Sequence, residues 1–173
     1  MSRRPDELGD TLEASLDEPW PPDELDTGGI VVRSLTLDDL DAVVQIDEAA
    51  TGLARREFYH KRIRRSLEDS SIHLSLGAEV DGQLVGFVAV TFYTGEFGMP
   101  EPVAVLDAIG VHPAYQRRRV GTALLRQLET NLRGLGVRTM RTEADWDRIE
   151  LLTFLARHGF RPAARLCLDK PLR

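Results

Sequence analysis

Only one of the 173 residues, Cys167, is a cysteine. An internal disulfide is therefore excluded, and so is any zinc site built on several thiolates. Long apolar runs are also missing: no stretch approaches the roughly 18 apolar residues of a membrane-spanning helix. No apolar segment follows the two arginines near the amino terminus, as a secretory signal requires. A cytoplasmic address is the simplest expectation, with no membrane partner. Aromatic residues make up 6% of the chain, and none interleave with the Arg117–Arg119 run. That spacing argues against a nucleic-acid partner held by stacked bases.

What remains is the composition of an ordinary globular chain, 42% apolar and 29% charged, long enough for one domain with a real core. No internal repeat interrupts it. The net charge of −6 is unevenly spread. Residues 1–28 set Arg3 and Arg4 against nine acids, a net of −7, and leave 20 basic and 19 acidic residues, a net of +1, to the rest. With Pro19, Pro21, Pro22, Gly28 and Gly29 there as well, 1–28 reads as an acidic, disordered leader and 29–173 as the folded domain.

Within the domain, Ile30–Arg33 reads as a strand. Thr36 starts a helix with Asp39 at its third position, Leu40, Val43, Val44 and Ile46 inside, and Thr51-Gly52 as its break. Ala54–Leu67 reads as a second helix, with Phe58, Ile63 and Leu67 inward. Arg55, Arg56, Lys61, Arg62, Arg64 and Arg65 lie on its solvated face. Ile72–Val80 and Leu84–Tyr93 are strands joined by a tight Asp81-Gly82 turn. Thr94–Pro102 is a loop, and Val103–Val111 and Val137–Thr142 are further strands. Asp147 and Glu150 suggest a capping box for a helix running to His158, stopped by Gly159. Arg165–Asp169 reads as a last strand in which Cys167 is buried and inert.

The chain is organised around Leu106–Leu125. An apolar strand ends at Val111, His112-Pro113-Ala114-Tyr115 leaves the sheet, and a helix opens in Gln116–Ala123 with a leucine stripe behind it. The first N–H groups of a helix lack partners within it, and the dipole adds positive charge there. Gly121 leaves room for a ligand against the backbone, and Arg117, Arg118 and Arg119 add charge-assisted donors. These pieces suit a pyrophosphate group.

With Val111, His112 and Pro113 followed by Gln116, Val120 and Gly121, the stretch resembles the signature loop of the GNAT N-acetyltransferase superfamily, Gln/Arg-x-x-Gly-x-Gly/Ala after a Val-x-Pro strand end. It departs at the first glycine, where Arg119 stands. The likeness covers about Ile30–Lys170, with a second matched piece at Leu151–Phe160. It implies an α/β (α+β) GNAT fold, a mixed central sheet with splayed parallel strands flanked by helices. It also implies acetyl-CoA as co-substrate, with the pantetheine arm along Ile109, Gly110 and Val111. The pyrophosphate then lies against Gln116, Arg117, Arg118, Arg119, Val120, Gly121 and Thr122. No metal is expected.

The reaction so implied moves an acetyl group from acetyl-CoA to a primary amine by direct attack. That amine belongs to a small molecule, a peptide terminus or a protein lysine. A lysine-like amine, with a reference pKa of about 10.4, must first lose a proton. Asp107, on the cofactor strand, is the first candidate base and Glu143, at the end of the other splayed strand, the second. Val103 stands where some members carry a catalytic glutamate, and Leu155 where many carry a tyrosine acid. Those departures keep a catalytically silent acetyl-CoA-binding regulatory module as the alternative. Asp47, Arg55 and Tyr59 resemble acceptor-binding residues of some members, though a pair bridging two helices would use the same three. A homodimer stays open.

Overall fold

Five strands pair in sequence order into one sheet: β1 (Val31–Ser34), β2 (His73–Val80), β3 (Gln83–Tyr93), β4 (Val103–Val111) and β5 (Thr139–Thr142). The first four are antiparallel neighbours, while β4 and β5 run parallel. Among the described residues four α-helices flank the sheet: α1 (Leu40–Thr51), α2 (Arg56–Glu68), α3 (Val120–Gly134) and α4 (Ile149–Arg157). The computed structural model describes residues 29–69, 73–94, 101–165 and 167–172. The acidic leader, Ile72, most of the Thr94–Pro102 loop and Leu166 lie outside the described residues.

Side-chain alternation in the strands gives the sheet two apolar faces, and each buries against its own helices. On one face Leu124, Leu125, Leu128 and Leu132 of α3 meet Leu76, Val88, Val90 and Leu106. On the other, Val43, Val44 and Ile46 of α1 and Tyr59 and Ile63 of α2 enclose Phe87. The four leucines of α3 are at most 4% exposed. At about 1.5–3 kcal/mol each, they hold that helix in place whatever its first turn does.

Local chemistry explains most boundaries. Asp39 reaches back to the Thr36 N–H at 2.7 Å and the Thr36 hydroxyl at 3.1 Å, and Arg33 grips both its oxygens. Gly52 and Gly159 end their segments with positive φ, and the β2–β3 turn takes φ 51° at Asp81 and 76° at Gly82, as a type I′ turn requires.

The structure corrects several sequence expectations. Helix α2 begins at Arg56 and buries Tyr59 and Ile63, whereas Phe58 and Leu67 are exposed at 41% and 53%. Arg62 does not join the solvated face; its side chain turns inward and is 13% exposed. The Asp147–Glu150 capping box does not form, because the N-cap is Arg148 and no side chain caps it. Val137 closes the α3 turn by donating to the Leu132 carbonyl, so β5 starts only at Thr139. Arg165, Cys167, Leu168 and Asp169 form no strand, and Cys167 is exposed rather than buried.

Candidate active site

Strands β4 and β5 pair over four residues, Val103–Leu106 with Thr139–Thr142. At the last pair the Thr142 hydroxyl donates to the Leu106 carbonyl at 2.9 Å. Beyond it β4 keeps β3 on one side and, among the described residues, has no paired strand on the other. Asp107 marks the change: the residue as a whole is exposed, although its side chain is only 20% exposed. The exposure is therefore largely main chain, an open strand edge of the kind that takes an extended ligand.

β4 bulges at Asp107. Ala89 pairs with Ala108 and Val90 with Leu106, so Asp107 has no partner on β3. The extra residue breaks the alternation. Ile109 and Val111 pack on the α3 side, while Ala108 packs with the α1–α2 cluster. Asp107 points to that second side, away from Ile109 and Val111. Its Oδ2 accepts from the Thr91 hydroxyl at 2.8 Å and forms an ion pair with Arg62. Thr91 in turn lies 3.4 Å from His73 Nδ1. Burial, then Arg62 and Arg65, hold the His73 imidazole below its ordinary pKa. Burial also pushes the Arg62 guanidinium down, and Asp107 is the carboxylate it pairs with there.

At the other end of β4 the turn is built on two left-handed residues, Arg117 at φ 60° and Arg119 at φ 64°. Arg119, at the position of the loop pattern's first glycine, thus takes the left-handed conformation that glycine adopts freely;. Left-handed Arg119 followed by helical Val120 turns successive N–H groups toward one side, a concavity suited to anions. Helix α3 starts at Val120 rather than Gln116; Gln116 donates to the Val111 carbonyl at 3.4 Å. Arg117, Arg118 and Arg119 are exposed, and Arg118 lies over the Tyr115 ring at 5.3 Å.

The two glycines of this region also serve packing. A Cβ on Gly121 would meet Phe154 of α4 at 3.0 Å, and one on Gly110 would meet Phe87 at 2.7 Å and Ile46 at 3.0 Å. Thr122, in the first turn of α3, is bonded to His158 Nε2 at 3.1 Å. Since His158 Nδ1 faces the Phe154 carbonyl at 2.8 Å, Nδ1 carries the hydrogen and Nε2 accepts from Thr122.

Glu143 is exposed just past β5, with no side-chain partner among the described residues. Asp47, Arg55 and Tyr59 do come together. Arg55 reaches the two Asp47 oxygens at 2.8 and 2.6 Å, and the Tyr59 hydroxyl donates to Asp47 at 2.8 Å. Asp47 and Tyr59 are 4% and 1% exposed, so the trio ties α1 to α2, and Arg55 keeps the outward surface. Burial, then Asp47, push the Tyr59 pKa well above the usual phenol range. Leu155 is buried in the α3-side core, and Tyr93 is 39% exposed. Sequence reasoning missed Arg62, Thr91, His73 and His158. Only Arg62 left a trace, as a cation at inward helical spacing, one residue before Ile63 and three after Tyr59.

Residues 40–160 match the family model described as the acetyltransferase (GNAT) family. The chain belongs to that family, whose co-substrate is acetyl-CoA. Solved structures agree at the level of the fold. An aminoglycoside 6'-N-acetyltransferase from Acinetobacter haemolyticus is 17% identical with TM-score 0.70, over 83% of this chain and 99% of that one. The PaiA N-acetyltransferase of Thermoplasma acidophilum, in complex with coenzyme A, is 21% identical with TM-score 0.65, over 76% and 89%. A transcriptional regulator from Bacillus halodurans is 19% identical with TM-score 0.68, over 83% and 99%. No curated protein matches the chain. Among the described residues no helix is long and apolar enough to cross a membrane, and no acidic, histidine or cysteine cluster could hold a metal.

Proposed function

We propose that this chain is an N-acetyltransferase that moves the acetyl group of acetyl-CoA onto a primary amine by direct attack. The carrying observation is one strand with an open edge from Asp107 onward, ending in a left-handed arginine turn and a helix amino terminus. An extended amide-bearing arm fits the edge along Ile109, Gly110 and Val111. Phosphates fit the N–H groups and arginines from Gln116 to Thr122. Bound there, acetyl-CoA supplies the activated acyl group; the chain binds, orients and handles the proton. A backbone N–H near Val111 serves as donor to the oxygen on which charge builds.

Asp107 sits at the beginning of the open edge, on the α1–α2 side. Its carboxylate, paired with Arg62, is placed to hold an ammonium group and order the water that removes its proton;. Glu143 is the second candidate for that proton. Arg55 offers the acceptor a cation on the same side. The silent acetyl-CoA-binding module remains the second reading, motivated by Leu155 in the core where a tyrosine acid would stand and by a regulator among the structural neighbours.

Calorimetry tests the cofactor placement. Gly121→Asp is a poor probe, since its side chain would strike Phe154. Arg119→Asp is better, because aspartate tolerates left-handed backbone while reversing the charge. Affinity for acetyl-CoA should fall at least about tenfold; equal affinity would overturn the placement.

A further inference from the structure

We propose that Thr91 and Arg62 are positioning residues for the transfer: together they hold Oδ2 of Asp107 and leave Oδ1 as the atom that meets the acceptor's ammonium group. The proposal rests on the reading of Asp107 as the residue facing the acceptor. It begins from an asymmetry. The Thr91 hydroxyl and Arg62 Nη2 both engage Oδ2, and among the described residues no donor reaches Oδ1. A carboxylate accepts at both oxygens, so one half is taken and the other is offered.

Both partners are fixed in place. Thr91 is 4% exposed on β3, one residue past the Ala89–Val90 step that faces the bulge at Asp107. Arg62 comes from α2 with its guanidinium 5.7 Å from the Phe58 ring. Thr91 has one hydroxyl hydrogen and gives it to Asp107, so His73 Nδ1, 3.4 Å away, must carry hydrogen to face the same oxygen;. This hydrogen bond would fix the direction of the Thr91 hydroxyl in turn. A short polar chain therefore runs His73, Thr91, Asp107, and Arg62 closes it from the helix. Gripped at one oxygen, a two-torsion side chain has little freedom left for the other.

The chemistry of the exposed half selects the acceptor class. As a carboxylate oxygen, Oδ1 accepts, and its complement is a donor. An ammonium N–H makes a stronger, charge-assisted bond there than a neutral alcohol, and an anion is turned away.

Thr91→Val removes the hydroxyl at nearly constant shape, Thr91→Ser restores it, and Arg62→Gln removes the charge. Two readouts apply to each folded variant, with folding checked by thermal unfolding. One is steady-state kinetics with the best amine of a panel. The other is carbon-13 NMR titration of the Asp107 carboxyl, read with Tyr59, Arg65, His73 and Tyr93 as the other ionisable groups around Arg62. We expect Thr91→Val and Arg62→Gln each to lose at least about tenfold in acceptor kcat/KM. The acetyl-CoA KM should hold, the Ser variant should regain most of the loss, and the carboxyl midpoint should move up in the Val and Gln variants. An unmoved midpoint overturns the proposal, whether or not an accepted amine has been found. So does full turnover of Thr91→Val beside an inactive Asp107→Asn, which leaves the reading of Asp107 standing. Normal turnover of Asp107→Asn removes that reading itself.

Discussion

Arg119→Gly replaces the residue that departs from the family's loop with the one usually found there, and the backbone says what should happen. Arg119 lies at φ 64°, ψ 9°, a left-handed conformation that costs an L-residue roughly 1–2 kcal/mol. Glycine removes that strain but loses about 0.5–1 kcal/mol more chain entropy on folding. The exposed guanidinium makes no ion pair among the described residues, so little else is lost. The net expectation is a gain of about 0.5–1 kcal/mol, or roughly 1–4 °C in Tm for a chain of this size. Thermal and urea unfolding of the two proteins measure it. A lower Tm for the glycine variant would show that the Arg119 side chain contributes more than its backbone costs, and would refute the strain argument. The same variant separates two roles in ligand binding: an outward arginine leaves acetyl-CoA affinity within a few fold, whereas a phosphate contact costs about 1.5–3 kcal/mol.

Two further outcomes follow from packing and burial. Gly110→Ala should destabilise by about 1–3 kcal/mol in urea unfolding, because the new Cβ would sit 2.7 Å from Phe87 and 3.0 Å from Ile46; a neutral effect would mean that α1 gives way freely. His73 is held below the ordinary imidazole range by burial and by Arg62 and Arg65, so near its reference pKa of about 6.5 the unfolded chain takes up a proton that the folded chain refuses. Stability should therefore decline as pH falls through about 6.5, and His73→Gln should flatten that slope in urea titrations at stepped pH.

Much of the fold could be read from the chain because the signals were local. The strand, turn and leucine-striped helix of Leu106–Leu125, the Asp81-Gly82 hairpin and the Asp39 reach-back to Thr36 each depend on neighbours in sequence. Misses came where tertiary partners decide. Tyr59 rather than Phe58 became the buried aromatic of α2 because Phe87 lies across from it, and Arg62 turned inward because Asp107 bulges toward it. Nothing in period two could place that bulge, since it depends on how β3 and β4 register over their whole length. Thr91 and His73 entered the candidate site for the same reason: three strands had to align before their side chains could meet. Arg119 carries the opposite lesson: it departs from the loop pattern in side chain, yet its φ of 64° is one that glycine adopts freely;.

Acetyl transfer to an amine stands or falls on amine-dependent release of the coenzyme A thiol. The chain is incubated with acetyl-CoA and a panel of small primary amines, free peptide termini and lysine peptides, and the products are weighed by mass spectrometry. At least one amine should accelerate thiol release above the hydrolysis background, and the same amine should gain one acetyl group. Tight acetyl-CoA binding that Arg119→Asp weakens, with no amine in the panel acetylated, would contradict it and leave a cofactor-binding module in place of an enzyme.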